Sequence, residues 1–227
     1  MGKKLFVTAT GTDIGKTYVS ALIIKKLKEN GFDSGYYKAA VSGNQRDEKG
    51  NIIAGDPQYV KDIAQLNENI KNMVSYIYEM AVSPHLAGSL ESNLLEEEKV
   101  LKDFQMNFEK YDYLLMEGSG GIICPLRYDN KRIFLEDIIR ILEIPCIIVA
   151  NCALGTINST LLTISYMQSK NIEIKGLIFN NYNPQSTMER DNIKVIQEVS
   201  GVEVLDCIKT GDKDLNIDIT KLTNIYK

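Results

Sequence analysis

The chain has 227 residues, enough to build one large α/β domain. Its hydrophobic share of 44% and charged share of 25% are those of an ordinary globular protein and argue against a disordered chain. The formal net charge of −4 argues against general attraction to nucleic acid or anionic lipid, while leaving room for a local basic pocket.

In chain order, Leu5–Ala9 reads as a buried strand, and Val19–Leu27 carries a loop into a helix. Tyr36–Ala40 is a second strand. The polar, glycine-rich stretch Gly43–Gly55 reads as a mobile loop, followed by a helix over Pro57–Leu66 with Asp56 at its N-cap position. Val74–Tyr78 suggests a strand, and Leu95–Phe108 a charged amphipathic helix. Tyr113–Met116 is an apolar run that ends at the loop Glu117–Gly121. Leu135–Leu142 reads as a helix, Cys146–Ala150 as a strand, Ile157–Met167 as a helix and Ile174–Phe179 as a strand. Met188–Val199 is a helix and Val202–Cys207 a last strand; the tail from Lys209 is polar, with a weak pattern around Ile219–Ile225. Apolar strands alternating with helices predict a three-layer α/β/α fold on a mainly parallel sheet, in a single domain over residues 1–227.

The four cysteines, Cys124, Cys146, Cys152 and Cys207, show no zinc-binding spacing and read as buried reduced thiols. The N-terminal apolar stretch is too short for a signal peptide, and no run of about 18 apolar residues predicts a membrane span, so a cytoplasmic protein is expected.

The strongest motif is Ala9-Thr10-Gly11-Thr12-Asp13-Ile14-Gly15-Lys16-Thr17. It leaves a strand and opens a helix, as a phosphate-binding loop must. Unpaired N–H groups and the positive dipole end of the helix suit phosphate there. Gly15 permits close backbone approach, Lys16 supplies a cation for the terminal phosphates, and the Thr17 hydroxyl suits Mg²⁺. Thr10 stands where the pattern Gly-x-x-x-x-Gly-Lys-Ser/Thr has its first glycine. The fold is therefore expected to be P-loop NTPase-like.

Other candidates sit where strands end. Glu117 closes the Tyr113–Met116 run, where open α/β sheets place their ligands, and offers a carboxylate to Mg²⁺. Asp56 has two readings, a helix cap worth roughly 1 kcal/mol or a second metal ligand. Lys38 ends the second strand and is either a surface lysine or a cation facing a transferred phosphoryl group, with Ser42 donating beside it.

Taken together, these segments resemble the dethiobiotin synthetases. The family's Lys-Pro-x-x-Ser-Gly stretch is matched by Lys38 to Gly43, and its Ser-Pro-His-Leu-Ala by Ser83 to Ala87. Glu-Gly-Ala-Gly-Gly appears as Glu117 to Gly121, followed by Pro125-Leu126, and Leu-Gly-x-Ile-Asn as Leu154 to Asn158. Order and spacing agree over most of the chain. The resemblance implies an enzyme of biotin biosynthesis that uses ATP, Mg²⁺ and CO₂ (or bicarbonate) on 7,8-diaminononanoate. An amine captures CO₂ as a carbamate, the γ-phosphate transfers to it, and the second amine closes the cyclic urea.

It also implies roles. Lys16 and Lys38 bracket the transferred phosphoryl group; Thr12 and Ser42 hold the reacting end. Asp13, Ile14, Gly15, Lys16 and Thr17 cradle the nucleotide with Glu117, and Asn180 contacts the purine. Thr17, Asp56 and Glu117 hold Mg²⁺. Gly155 and Asn158 receive the substrate's carboxylate tail across a homodimer interface. His85, the one histidine, is assigned to packing and capping rather than catalysis. Departures are Ala9 and Gly11 in the loop, Ala39 for the proline after the lysine, and Asp206-Cys207-Ile208-Lys209 for a base-binding Gly-x-Ile-Pro segment. These put nucleobase preference in question more than phosphate binding.

The main rival is a MinD/ParA-like regulatory ATPase. Such proteins carry an extra lysine early in the loop, and Phe6 to Gly15 contains none. Cobyrinic-acid-type amidotransferases would need a glutaminase partner domain. A non-catalytic nucleotide-binding protein is the remaining alternative, suggested by Ala9.

Overall fold

A computed structural model describes residues 2–227. They form β1 (Lys3–Ala9), α1 (Lys16–Glu29), β2 (Ser34–Val41), α2 (Gly55–Ala64), α3 (Ile70–Met73), β3 (Val74–Ile77), α4 (Pro84–Leu90), α5 (Glu97–Phe108) and β4 (Tyr113–Glu117). Then come β5 (Pro125–Tyr128), β6 (Arg132–Phe134), α6 (Leu135–Ile141), β7 (Cys146–Asn151), α7 (Thr156–Ser169), β8 (Ile174–Asn180), α8 (Thr187–Ser200), β9 (Val204–Cys207) and α9 (Ile219–Asn224).

Seven strands make one sheet in the order β3-β2-β4-β1-β7-β8-β9, with every neighbouring pair parallel. Strand side chains alternate between two buried faces. Leu5, Val7, Tyr36 and Leu115 pack with Val19, Ile23, Val60 and Leu222, the layer of α1, α2 and α9. Phe6, Tyr37, Met116 and Ile148 pack with Phe104, Ile138, Ile164 and Ile196, the layer of α5 to α8. The expected α/β/α sandwich is therefore the observed one. No helix among the described residues is long and apolar enough to cross a membrane.

One local expectation is corrected, and two stretches that the sequence left open take a defined form. Helix α2 starts at Gly55 with Ala54 as its N-cap, so Asp56 lies in the first turn and caps nothing. Asn44 Oδ1 instead accepts from the Gly55 N–H at 2.9 Å, while the Asn44 amide donates to Val41 and Tyr78 carbonyls. The stretch Gly43–Gly55 thus folds onto itself, helped by Asp47, which accepts from the Lys49 and Asn51 N–H groups. The tail after Lys209 is part of the core: Leu215, Ile217, Leu222, Ile225 and Tyr226 are buried beside α1, and Lys227 hydrogen-bonds the backbone of Lys4. The antiparallel hairpin of β5 and β6 and the short α3 had no signal in the sequence reading.

Candidate active site

The parallel strands β1, β2 and β4 all end at one edge, and register fixes what meets there. Lys38 on β2 lies opposite Glu117 on β4, and Glu117 lies opposite Val7, two residues before the phosphate loop. The loop leaves β1 and delivers Lys16 and Thr17 as the first residues of α1. Gly15 is the N-cap, with φ of 99°, and no side chain caps the helix, so its first N–H groups face outward. A Cβ at Gly15 would lie 2.1 Å from Asn180 Nδ2, so any side chain there would collide with Asn180.

Thr12, Asp13, Gly15, Lys16, Thr17, Lys38, Ala40, Val41, Ser42, Asp56, Glu117, Ser119 and Gly120 line one cleft of about 400 Å³. Its floor is a charge cluster. Lys38 Nζ lies 2.5 Å from Asp56 Oδ2 and 2.8 Å from Glu117 Oε1. Glu117 Oε1 also accepts from the Thr17 hydroxyl at 2.8 Å, and Glu117 Oε2 from the Tyr36 phenol at 3.1 Å. Lys16 Nζ donates to the Gly11 carbonyl at 3.1 Å, folding back over the loop it serves.

Burial holds the Lys16 ammonium below its ordinary pKa, with Lys38 adding to the effect and Glu117 and Asp56 opposing it. Burial works against the Lys38 ammonium too, but Glu117 and Asp56 outweigh it and raise its pKa. Burial likewise disfavours the Asp56 carboxylate, yet Lys38 holds its pKa below the usual range. The Tyr36 phenol is pushed well above its ordinary value by burial and by Glu117. Two ammonium groups and a helix N-terminus, groups that suit phosphate, meet two carboxylates in this cleft.

The residues that could hold a metal here are Thr17, through its hydroxyl, and Asp56 and Glu117, through their carboxylates. Hard oxygen ligands from few side chains suit Mg²⁺, which keeps water and phosphate oxygens as its other ligands. The Lys38 ammonium already sits between the two carboxylates as a cation would. Among the described residues, no group of three or more His, Cys, Asp or Glu forms a self-sufficient metal cage.

Not every predicted residue reaches the cleft. Gly155, with φ of 93°, caps α7, and Asn158 is exposed on its first turn; neither lines the cavity. Asn180 lies behind the loop, its amide donating to the Ile14 carbonyl at 2.9 Å and its buried Oδ1 without a partner. His85 is outside the cleft, bonded to Ser83 Oγ at 3.0 Å and edge-on to Tyr128. All four cysteines are free; burial lifts the Cys124 thiol, close to the loop, to about 11. Tyr36 and Ser119 were missed. Ser119 Oγ donates to the Ala40 carbonyl at 2.6 Å and pins the loop after β4 to β2. The alternation that places Tyr36 and Lys38 on one strand face was the available signal for Tyr36.

A family model described as an AAA domain matches residues 3–213. An ATP-dependent dethiobiotin synthetase of Clostridium botulinum is 47% identical over 227 residues, covering 100% of this chain and 99% of that one. The chain belongs to the ATP-dependent dethiobiotin synthetase family. Another synthetase of the family, from Brachyspira hyodysenteriae, is 50% identical across 93% of this chain and 94% of its own length. These relatives support the expected ATP-dependent ligase over the regulatory ATPase.

Solved structures show what the synthetase family shares more widely. The MinC:MinD cell division complex of Aquifex aeolicus aligns with a TM-score of 0.56 at 16% identity, covering 98% of this chain and 86% of that one. A ParA family ATPase from Chlorobium tepidum aligns at 0.55 and 14% identity, covering 99% and 89%. At such identities the likeness extends to the fold alone. Two of the departures from the family motifs fall at buried strand positions: Ala9 ends β1 and Ala39 lies within β2.

Proposed function

We infer that the protein closes the cyclic urea of dethiobiotin from 7,8-diaminononanoate, CO₂ and Mg-ATP in biotin biosynthesis. The observation that carries the reading is the convergence of Lys16, Lys38, Asp56 and Glu117 on one cleft at the start of α1. The family supplies the reaction; the cleft supplies the groups it needs.

ATP lays its phosphates against the N–H groups of residues 13–17, with Lys16 over the terminal ones. Thr17, Asp56 and Glu117 hold Mg²⁺, which neutralises phosphate charge when bound. We assign Asn180, whose buried Oδ1 has no protein partner, to the purine, where that acceptor would suit the adenine amino group. One substrate amine adds CO₂ and loses a proton to give a carbamate. Lys38, with Thr12 and Ser42, positions that carbamate for attack on the γ-phosphorus and ADP leaves. The second amine then attacks the carbamoyl carbon, the ring closes and inorganic phosphate departs. Each step forms or disperses anionic charge, so fixed ammonium groups lower its barrier without a protein nucleophile.

On the family resemblance we assign Gly155 and Asn158, which lie outside the one-chain cleft, to the carboxylate tail of substrate bound in a partner's cleft, in a cytoplasmic homodimer. The test is a turnover assay with Mg²⁺, diamine, bicarbonate and ATP. ADP and the cyclic urea should appear together, and only with both co-substrates present. Nucleotide hydrolysis that ignores the diamine would overturn the assignment.

A further inference from the structure

Lys38 and Tyr36 are two residues apart on β2 and so share its face, while Tyr37 and Ala39 point to the other. On the neighbouring strand, Lys38 is level with Glu117, and Tyr36 is level with Leu115. The Tyr36 ring is 1% exposed, packed in the core beneath the cleft. From there its phenol reaches up the sheet to Glu117 Oε2.

The two oxygens of Glu117 therefore face different worlds. Oε1 meets Thr17 and Lys38, both of which line the cleft. Among the described residues, Oε2 accepts only from Tyr36, from inside the core. Glutamate has three side-chain torsions, and the last is broad. A carboxylate held at one oxygen alone is free to rock; held at both, it is aimed. Deleting the phenol would also leave Oε2 in the core without a donor.

The geometry points to Tyr36 as a positioning residue that aims Glu117 into the cleft and thereby sets the affinity of the site for a divalent cation. This rests on the reading of Glu117 as a metal-binding group. Partners of metal-binding carboxylates typically govern affinity in this way, by about tenfold or more.

The test is the melting temperature of the ADP-bound protein titrated with Mg²⁺, for the wild type, Tyr36→Phe and Tyr37→Phe. Tyr37 is an equally buried phenol on the opposite face, bonded to Ser75 and to the Val100 carbonyl. Phenylalanine fills the same space at both positions. Tyr36→Phe should need about tenfold more Mg²⁺ for half its thermal shift, while its shift with ADP in EDTA matches the wild type. Tyr37→Phe should melt lower yet keep the wild-type Mg²⁺ midpoint. An unchanged midpoint in Tyr36→Phe, or an equal change in Tyr37→Phe, overturns the positioning role and leaves the metal reading standing. A wild type that ignores Mg²⁺ overturns both.

Discussion

Two buried carboxylates in this protein are held by the same chemistry and put to different ends. Glu68, near the start of α3, accepts from Lys110, Tyr111, Asn72 and the Asn69 N–H. Glu117 accepts from Lys38, Thr17 and Tyr36. Each has a lysine and a tyrosine, and each is buried. The donors to Glu68 serve no cavity of the phosphate edge; they tie α3 to the turn after α5. Two of the three donors to Glu117 line the ligand cleft. The contrast teaches that a buried ion pair alone does not mark a site. What marks one is donors that can change partners when a ligand arrives.

Substituting Lys38 should break the comparison most sharply. Lys38→Ala removes the ammonium proposed to face the transferred group and should lower turnover roughly a thousandfold, with nucleotide affinity in EDTA near the wild type. It also leaves Asp56 and Glu117 facing each other without a cation. Mg²⁺ with ADP should then raise the melting temperature of the variant more than that of the wild type, because the metal ion replaces the lost charge. Glu117→Gln comes next, with turnover lowered about a hundredfold and partly restored at high Mg²⁺. Full activity at ordinary Mg²⁺ would remove Glu117 from the metal site.

Glu68→Gln sharpens the other side. It should cost about 2 kcal/mol of stability, a fall in melting temperature of roughly 4–8 °C, with turnover unchanged. Burial opposes the Glu68 carboxylate, but Lys110, Tyr111 and Asn72 outweigh it and hold its pKa at about 2, below the ordinary 4.5. A depressed carboxylate pKa stabilises the folded state above the unfolded value and loses that contribution as pH falls through the folded one. The stability gap between wild type and variant should therefore be full above pH 4.5 and shrink toward pH 2. A gap that stays constant through that window would show that the contribution is not ionic.

Much of this was legible in the sequence because the chemistry is local or sits at strand ends. A phosphate loop needs contiguous residues, so Ala9–Thr17 announces itself. Glu117 and Lys38 stand at the ends of apolar runs, and parallel strands bring such ends to one edge. Asp56 remained ambiguous because its first-turn position suited a cap; Asn44, eleven residues before Gly55, meets that need and frees it. Tyr36 was hidden because its partner lies 81 residues away and an aromatic in a buried strand reads as core. The tail was hidden for another reason: Leu215 and Ile217 precede α9 and Ile225 and Tyr226 follow it, so no single period links them.

The smallest expected effect concerns the least complete part of the site. Asn158 is exposed at the start of α7, a helix whose N-cap, Gly155, makes no side-chain capping bond. That leaves N–H groups for a carboxylate, with the Asn158 amide as one further donor. Asn158→Ala removes one such bond and leaves the backbone groups in place. The Michaelis constant for the diamine should rise about fivefold to tenfold, the equivalent of about 1 kcal/mol, while that for ATP is unchanged. A diamine shortened by its terminal carboxylate should bind wild type and variant equally weakly. If it still distinguishes them, Asn158 does not read the tail, and the carboxylate is held elsewhere.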